Sequence, residues 1–108
     1  MAALRGRGWS PSAAADSVAV GIQVGEPPRL DALVAACGES GGDAVAVGDD
    51  AVLRWQRRLS ELEGILVEPT SATVLAAAEE LARQGTIGPD ERVLVPLTGF
   101  GFKEPIPG

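Results

Sequence analysis

The chain has 108 residues, 9 basic and 15 acidic side chains, a formal net charge of −6 and no histidine. This length allows one domain at most, and the acidic balance argues against nucleic acid as a partner, because phosphate contacts need concentrated lysine and arginine. With Cys37 as the only cysteine, a disulfide framework, a zinc site and histidine-activated nucleophiles are excluded within the chain, so no metal site is predicted and a cytoplasmic setting fits best.

The apolar side chains are small. They make up 45% of the sequence, with only two tryptophans, two phenylalanines and no tyrosine. Small side chains bury little apolar area each, so we expect a thin core that a missing N-terminal portion or a partner chain must cover. No apolar run approaches the roughly 20 residues needed to span a bilayer, so no membrane association is predicted.

Residues 1–16 differ in composition from the rest of the chain. They contain Arg5 and Arg7, no acidic residue before Asp16, and many alanines and serines. Transit peptides share this composition, but the segment is short, is interrupted by glycine and proline, and lacks an amphipathic period. We therefore expect a disordered leader over 1–16 and a single, incomplete structural unit over 17–108.

Apolar spacing predicts three helices. The first has Pro28 in its first turn and Gly38 as its C-cap, with an apolar face of Leu30, Leu33, Val34 and Cys37. The second is capped by Asp49 or Asp50 and ends at Gly64, with an apolar face of Val52, Trp55, Leu59 and Leu62. The third is capped by Thr70 or Ser71 and runs through Gln84, with Gly85 as the C-cap candidate and an apolar face of Val74, Leu75, Ala78, Leu81 and Ala82.

Three short apolar runs predict strands between and after these helices. They cover residues 44–47, 65–67 and 92–97. The last is nearly continuous in apolar residues, as expected for a parallel strand that is covered on both faces. The alternation of helices with strands therefore predicts an α/β fold with a parallel sheet.

Two polar motifs flank the third helix and the last strand. Residues 68–71, Glu-Pro-Thr-Ser, would place hydroxyls and free N–H groups at a helix N-terminus, which suits an anion or simply caps the helix. Residues 98–101, Thr-Gly-Phe-Gly, follow the strand at its carboxyl end, where open α/β sheets bind ligands. A glycine pair after a strand can also mark only a tight turn, so each motif alone leaves both interpretations open.

The segments 64–72, 85–91 and 97–103, in this order, resemble the C-terminal segment of threonine synthases. These are pyridoxal-phosphate enzymes of the tryptophan-synthase-β fold, also called fold type II. Residues 22–27 and 40–49 are similar to upstream elements of the same family. The resemblance implies that the chain is the C-terminal, parallel-sheet portion of a cofactor-binding domain.

In the family, the threonine that corresponds to Thr98 meets the pyridine nitrogen of the cofactor, and the resemblance places Glu68 at the border of the cofactor pocket. Lys103 is the only lysine of the chain. The cofactor lysine of the family instead lies in an upstream Ser-Phe-Lys-Asp motif, which has no counterpart here, and the glycine-rich phosphate loop is also absent. The resemblance therefore implies no catalytic residue in this chain and no activity of the chain alone.

The reaction implied for the complete enzyme acts on a small amino-acid substrate and converts O-phosphohomoserine and water to threonine and phosphate. Two alternatives remain open. The chain could be a truncated or interaction chain without catalysis, or a segment of another fold type II enzyme such as an amino-acid dehydratase.

Overall fold

The computed structural model describes residues 17–25 and 27–103. Its three α-helices are α1 (Leu30–Ser40), α2 (Asp49–Glu63) and α3 (Pro69–Arg83), and short 3-10 turns occupy Val20–Ile22 and Gly101–Lys103. The predicted leader at 1–16 lies outside the described residues and stays a prediction. None of the described helices is long and apolar enough to cross a membrane.

Helices α2 and α3 pack against each other and enclose the core of the described residues. The buried cluster consists of Val52, Val67, Ala72 and Ala76. Half-buried apolar residues surround it, namely Val18, Val47, Ala51, Trp55, Leu59 and Ile65. Because the α3 contribution is alanine, the two helices can approach closely, but the area that each side chain buries is small.

The C-terminal boundary of α2 agrees with the predicted one. The helix ends at Gly64, whose φ of 67° is the left-handed conformation that favours glycine. The predicted cap was wrong, because Gly48 is the N-cap and Asp49 and Asp50 are the first two helical residues. The placement of Leu62 on the buried face was wrong, because this side chain is 64% exposed.

Helix α3 begins one residue before the predicted cap. Glu68 is the N-cap and forms no side-chain capping bond, so neither Thr70 nor Ser71 caps the helix. The residues that it buries are Pro69, Ser71, Ala72 and Ala76. The predicted face was wrong at Val74, which is 37% exposed, and at Ala82, which is also exposed. The C-cap is Gln84 and not the predicted Gly85, which follows it with a φ of 77°.

Helix α1 begins at Leu30, so Pro28 precedes it and is not in its first turn. The helix continues through Gly38, and its C-cap is Gly41, whose φ is 68°. On its apolar face Leu33 is 58% exposed, whereas Leu30, Val34 and Cys37 are half-buried. Within the described part of the chain, this face is therefore only partly covered.

Of the three predicted strands, only 65–67 takes part in a β pairing, and the other two have no sheet around them within the described residues. Residues 44–47 and 92–97 are non-helical, and within the described residues they pair with no strand. The β pairing described there is a single antiparallel bridge between Val67 and Phe100. A strand exists only through the hydrogen bonds of a neighbour, so the parallel sheet remains a prediction that requires further chain.

Candidate functional site

The bridge brings together the two motifs that flank α3 and the last extended segment. Glu68 N–H donates to the Gly99 carbonyl at 3.1 Å, and Gly101 N–H donates to the Leu66 carbonyl at 3.0 Å. Val67 and Phe100 face each other between these two bonds. Residues thirty positions apart in sequence therefore form one edge beside the N-terminus of α3.

A buried hydroxyl lies at the centre of this edge. Ser71 is 2% exposed, and its Oγ accepts the Gly99 N–H at 2.9 Å. The same Oγ lies 3.3 Å from Oγ1 of Thr98, within hydrogen-bond distance. Thr98 itself is an exposed residue, so its hydroxyl remains accessible from outside.

Close packing constrains Gly101 of the motif more than Gly99. A Cβ added at Gly101 would lie 2.7 Å from Cγ of Leu66 and 3.0 Å from the Val67 carbonyl oxygen. A Cβ added at Gly99 would overlap the half-buried Glu68 side chain, which is flexible and can move aside. Neither glycine has a positive φ. Gly101 therefore serves the close approach of the two segments, and neither glycine provides a left-handed turn.

Gln56 of α2 supports the edge from the other side. Its side chain is 6% exposed, and its Nε2 donates to the Val67 carbonyl at 2.7 Å. The sequence analysis did not single out this residue. Its spacing of four from Val52 places it on the buried face of the helix, and that spacing was the available signal.

The N-terminal segment of the described chain binds to the first residues of two helices. Gly21 N–H donates to Thr70 Oγ1 at 3.0 Å, at the start of α3. Ser17 Oγ donates to Asp49 Oδ1 at 2.7 Å, and Val18 N–H donates to Asp49 Oδ2 at 3.1 Å, at the start of α2. The hydroxyl of Thr70 and the carboxylate of Asp49 thus hold this segment against the helical pair.

The shifted carboxyl pKa values belong to the exposed ion pairs of α3. The pKa of Glu79 is lowered, mainly because Trp55 Nε1 donates to its carboxylate at 2.9 Å and also because Arg54 pairs with it. Hydrogen bonds from Arg83, and next from Gln84, lower the pKa of Glu80 to about 2. These carboxylates are in contact with neither Glu68 nor Thr98.

Two surface grooves also lie apart from this edge. One, of about 350 Å³, runs along α2 and is lined by Asp50, Leu53, Arg54, Arg57, Arg58 and Glu61. The other, of about 460 Å³, lies beside α1 and is lined by Val24, Pro27, Pro28, Arg29, Ala32 and Leu33. Among the described residues, no group of three or more histidine, cysteine, aspartate or glutamate side chains could hold a metal ion.

The chemistry of the edge is that of a neutral hydroxyl donor. Thr98 Oγ1 has one hydrogen-bond partner among the described residues, Ser71, and therefore retains capacity for a further bond. Gly99 offers no side chain at this point, and the Glu68 carboxyl group lies against it. Such a hydroxyl can donate to a hydrogen-bond acceptor of a ligand that lies against this edge.

Comparison with known proteins identifies the family. The sequence model of the family described as pyridoxal-phosphate dependent enzyme matches residues 2–99. The chain belongs to this family. Pyridoxal phosphate is thus the cofactor that membership implies for the complete enzyme. The remaining hydrogen-bond capacity of Thr98, beside a glycine without a side chain, is compatible with the acceptor nitrogen of its ring.

Among curated proteins of known name, the chain is similar to threonine synthases. The chain is 38% identical over 96 residues to the threonine synthase of Methanocaldococcus jannaschii, covering 89% of this chain and 23% of that protein. It is 40% identical over 96 residues to the threonine synthase of Methanosarcina acetivorans, covering 89% and 24%. For the threonine synthase of Bacillus sp. strain ULM1 the identity is 33% over 90 residues, covering 83% and 26%.

The predicted resemblance to threonine synthases is therefore confirmed. The chain spans about a quarter of the length of these relatives. The structure brings Thr98 and Glu68 to the same edge, on either side of Gly99. Their roles toward the cofactor remain predictions.

Proposed function

We propose that the chain forms the C-terminal part of the cofactor-binding domain of a threonine-synthase-like enzyme, with Thr98 at the pyridine nitrogen and Glu68 at the border of the pocket. The observation that supports this most directly is the convergence of Ser71, Thr98 and Gly99 through two hydrogen bonds beside Glu68. Pyridoxal phosphate, when bound, supplies an electron sink for bond breaking next to the substrate amino group.

The proposed role of Thr98 depends on its hydroxyl being neutral. A neutral hydroxyl donates a hydrogen bond to the ring nitrogen but cannot hold a proton on it as a carboxylate would. Glu68 is the acidic residue of this edge, and its carboxyl group lies over Gly99 rather than beside the Thr98 hydroxyl. The chain thereby presents the nitrogen with a donor and keeps the carboxylate at the border.

For the complete enzyme we propose the conversion of O-phosphohomoserine and water to threonine and phosphate. The names of the similar proteins support this substrate class. An amino-acid dehydratase of the same fold type is the second candidate, and substrate tests on the complete enzyme separate the two. We further propose a cytoplasmic setting, on the basis of the single free thiol of Cys37.

The proposed partner is the remaining part of the enzyme, either preceding this chain or as a separate chain. Within residues 17–25 and 27–103, the backbone of residues 92–98 has no hydrogen-bond partner. Leu94 on this segment is 93% exposed. Unpaired backbone groups and an exposed leucine are what an added strand would cover, and this supports a covered sheet over an independent interaction chain.

The first experiment tests whether the chain catalyses alone. The purified chain is mixed with pyridoxal phosphate and treated with borohydride, and mass spectrometry looks for a reduced adduct at Lys103. We expect none, because the family resemblance does not assign Lys103 as the cofactor lysine. A stoichiometric adduct at Lys103 contradicts the proposal that this chain lacks the cofactor lysine.

The second experiment tests Thr98 in the complete enzyme. Thr98→Val keeps the side-chain shape but removes the donor, at a cost of about 1–3 kcal/mol for an unpaired buried acceptor. We expect weaker cofactor binding and a shifted cofactor absorbance, with Thr98→Ser as a control that changes both only slightly. Unchanged affinity, spectrum and turnover in Thr98→Val would assign Thr98 a purely structural role.

A further inference from the structure

We propose that Ser71 is a positioning residue that donates its hydroxyl proton to Thr98 and so directs the Thr98 proton outward to the ring nitrogen of the cofactor. This inference rests on the function proposed for Thr98. It concerns a residue that touches neither the cofactor nor the substrate and acts only through its neighbour.

The direction of the Ser71–Thr98 hydrogen bond follows from burial. Ser71 Oγ already accepts the Gly99 N–H, and its only other partner among the described residues is Thr98 Oγ1. At 2% exposure its proton has no access to water. If Thr98 donated instead, the Ser71 proton would be left without an acceptor, at the cost of a buried unsatisfied donor. Ser71 therefore donates, and Thr98 accepts.

The consequence for Thr98 is a fixed orientation of its proton. Once one lone pair of Oγ1 accepts from Ser71, the hydroxyl proton must point away from α3, toward the accessible side of the edge. An exposed threonine without such a partner rotates among several side-chain and hydroxyl orientations. Fixing one of them before the ligand arrives removes part of the ordering cost of binding.

Ser71 can position Thr98 because Ser71 is fixed in the helical core, whereas Thr98 belongs to a segment with few contacts. Ser71 lies in the first turn of α3, whose next residues in the core, Ala72 and Ala76, are 0% and 2% exposed. Thr98 ends a segment whose backbone has no hydrogen bond to the described residues from 92 to 98. The bonds of Ser71 to Gly99 and Thr98 are thus the first polar contacts between this segment and the helical core.

The test is a double-mutant cycle of Ser71→Ala and Thr98→Val in the complete enzyme. For each variant, the dissociation constant of the cofactor and the absorbance of the bound cofactor are measured. Ser71→Ala is expected to weaken cofactor binding about threefold to tenfold, the usual size of one net hydrogen bond. In the Thr98→Val background the same change is expected to weaken cofactor binding clearly less, because only the bond from Gly99 N–H to Ser71 is then lost and no Thr98 hydroxyl remains to be oriented. Equal losses in both backgrounds assign Ser71 a structural role and overturn the inference, as does an unchanged affinity in Ser71→Ala alone.

A second measurement uses the 108-residue chain without cofactor, so that a failure of Thr98 as a cofactor ligand is distinguished from a failure of this inference. If Ser71 donates, Thr98→Val leaves the buried hydroxyl proton of Ser71 without an acceptor and lowers the urea midpoint of unfolding. In the Ser71→Ala background, Thr98→Val is expected to leave the midpoint unchanged. If Thr98→Val does not lower the urea midpoint of the chain that retains Ser71, then Ser71 is not the donor and the inference is overturned.

Discussion

The fully buried apolar side chains lie in or beside helices α2 and α3, whereas the segment 92–102 carries the most exposed ones. Val52 and Ala72 are 1% and 0% exposed, whereas Leu94 and Phe102 are 93% and 84% exposed. The two helices cover each other, and within the described residues the β pairing of the extended segment is limited to the bridge at Phe100. Burial in this chain is thus decided by the available neighbours and not by residue type.

The largest effect is expected from placing a charge at matched positions of the two regions. Val52→Asp buries an unpaired carboxylate in the core and is expected to remove cooperative unfolding, because such a charge costs several kcal/mol. Leu94→Asp, at an exposed position, is expected to change the free energy of unfolding of the chain by less than about 0.5 kcal/mol. Urea titration followed by circular dichroism measures both.

The same pair sharpens the comparison in the complete enzyme. There Leu94→Asp is expected to prevent folding or assembly, because the proposed sheet neighbours would bury it. Equal stability of Leu94→Asp and the parent in the complete enzyme would show that the segment 92–102 stays uncovered, and would remove the argument for a partner.

A smaller effect is expected where the two regions meet. In Gly101→Ala the new Cβ meets the Leu66 side chain and the Val67 carbonyl, so the bridge must separate, at a cost of about 1–3 kcal/mol. Gly38→Ala is the matched control, because nothing lies within 4 Å of its added Cβ and alanine favours a helix by about 0.5–1 kcal/mol. Thermal melts should therefore move in opposite directions. A stabilising Gly101→Ala would contradict the close approach.

The smallest effect concerns pH and the outer face of α3. Hydrogen bonds from Arg83, and next from Gln84, lower the folded-state pKa of Glu80 to about 2, below its ordinary value of 4.5. A depressed pKa means that the stabilisation is present above pH 4.5 and is lost as the pH falls toward 2. The effect is small because the pair is exposed to solvent.

NMR titration of the side-chain carboxyl carbons of the chain measures the pKa of Glu80 directly. Glu80 is expected to titrate near pH 2 in the parent and to move upward in Arg83→Ala, whereas the Glu79 titration should respond to Trp55→Phe instead. A Glu80 midpoint that ignores Arg83→Ala would show that this ion pair does not form in solution.

The sequence predicted well those features that depend on a few neighbouring residues. Gly64 ends α2 because a left-handed residue is needed there, and the motifs around Glu68 and Thr98 were expected to act together and do meet. Features that depend on distant partners were missed. Ser71 looked like a helix cap, but its hydroxyl accepts a bond from Gly99, 28 residues later.

The errors at the helix faces have a related cause. A hydrophobic period predicts which side of a helix is apolar, but not whether another element lies against it, so Leu33 and Leu62 are exposed. Gln56 was missed for the opposite reason: a polar side chain is buried because a backbone carbonyl lies within its reach. The predicted sheet requires strand neighbours that the described residues do not contain.

The bond from Gln56 to Val67 affects the side on which a further strand can pair with this edge. In an antiparallel bridge of this type, the backbone groups of the facing residues point outward, away from the partner. The outward carbonyl of Val67 is occupied by the Gln56 amide, whereas the backbone of Phe100 has no hydrogen-bond partner among the described residues. A further strand can therefore add beside Phe100 but not beside Val67, so assembly with the rest of the enzyme is expected to proceed from one side only.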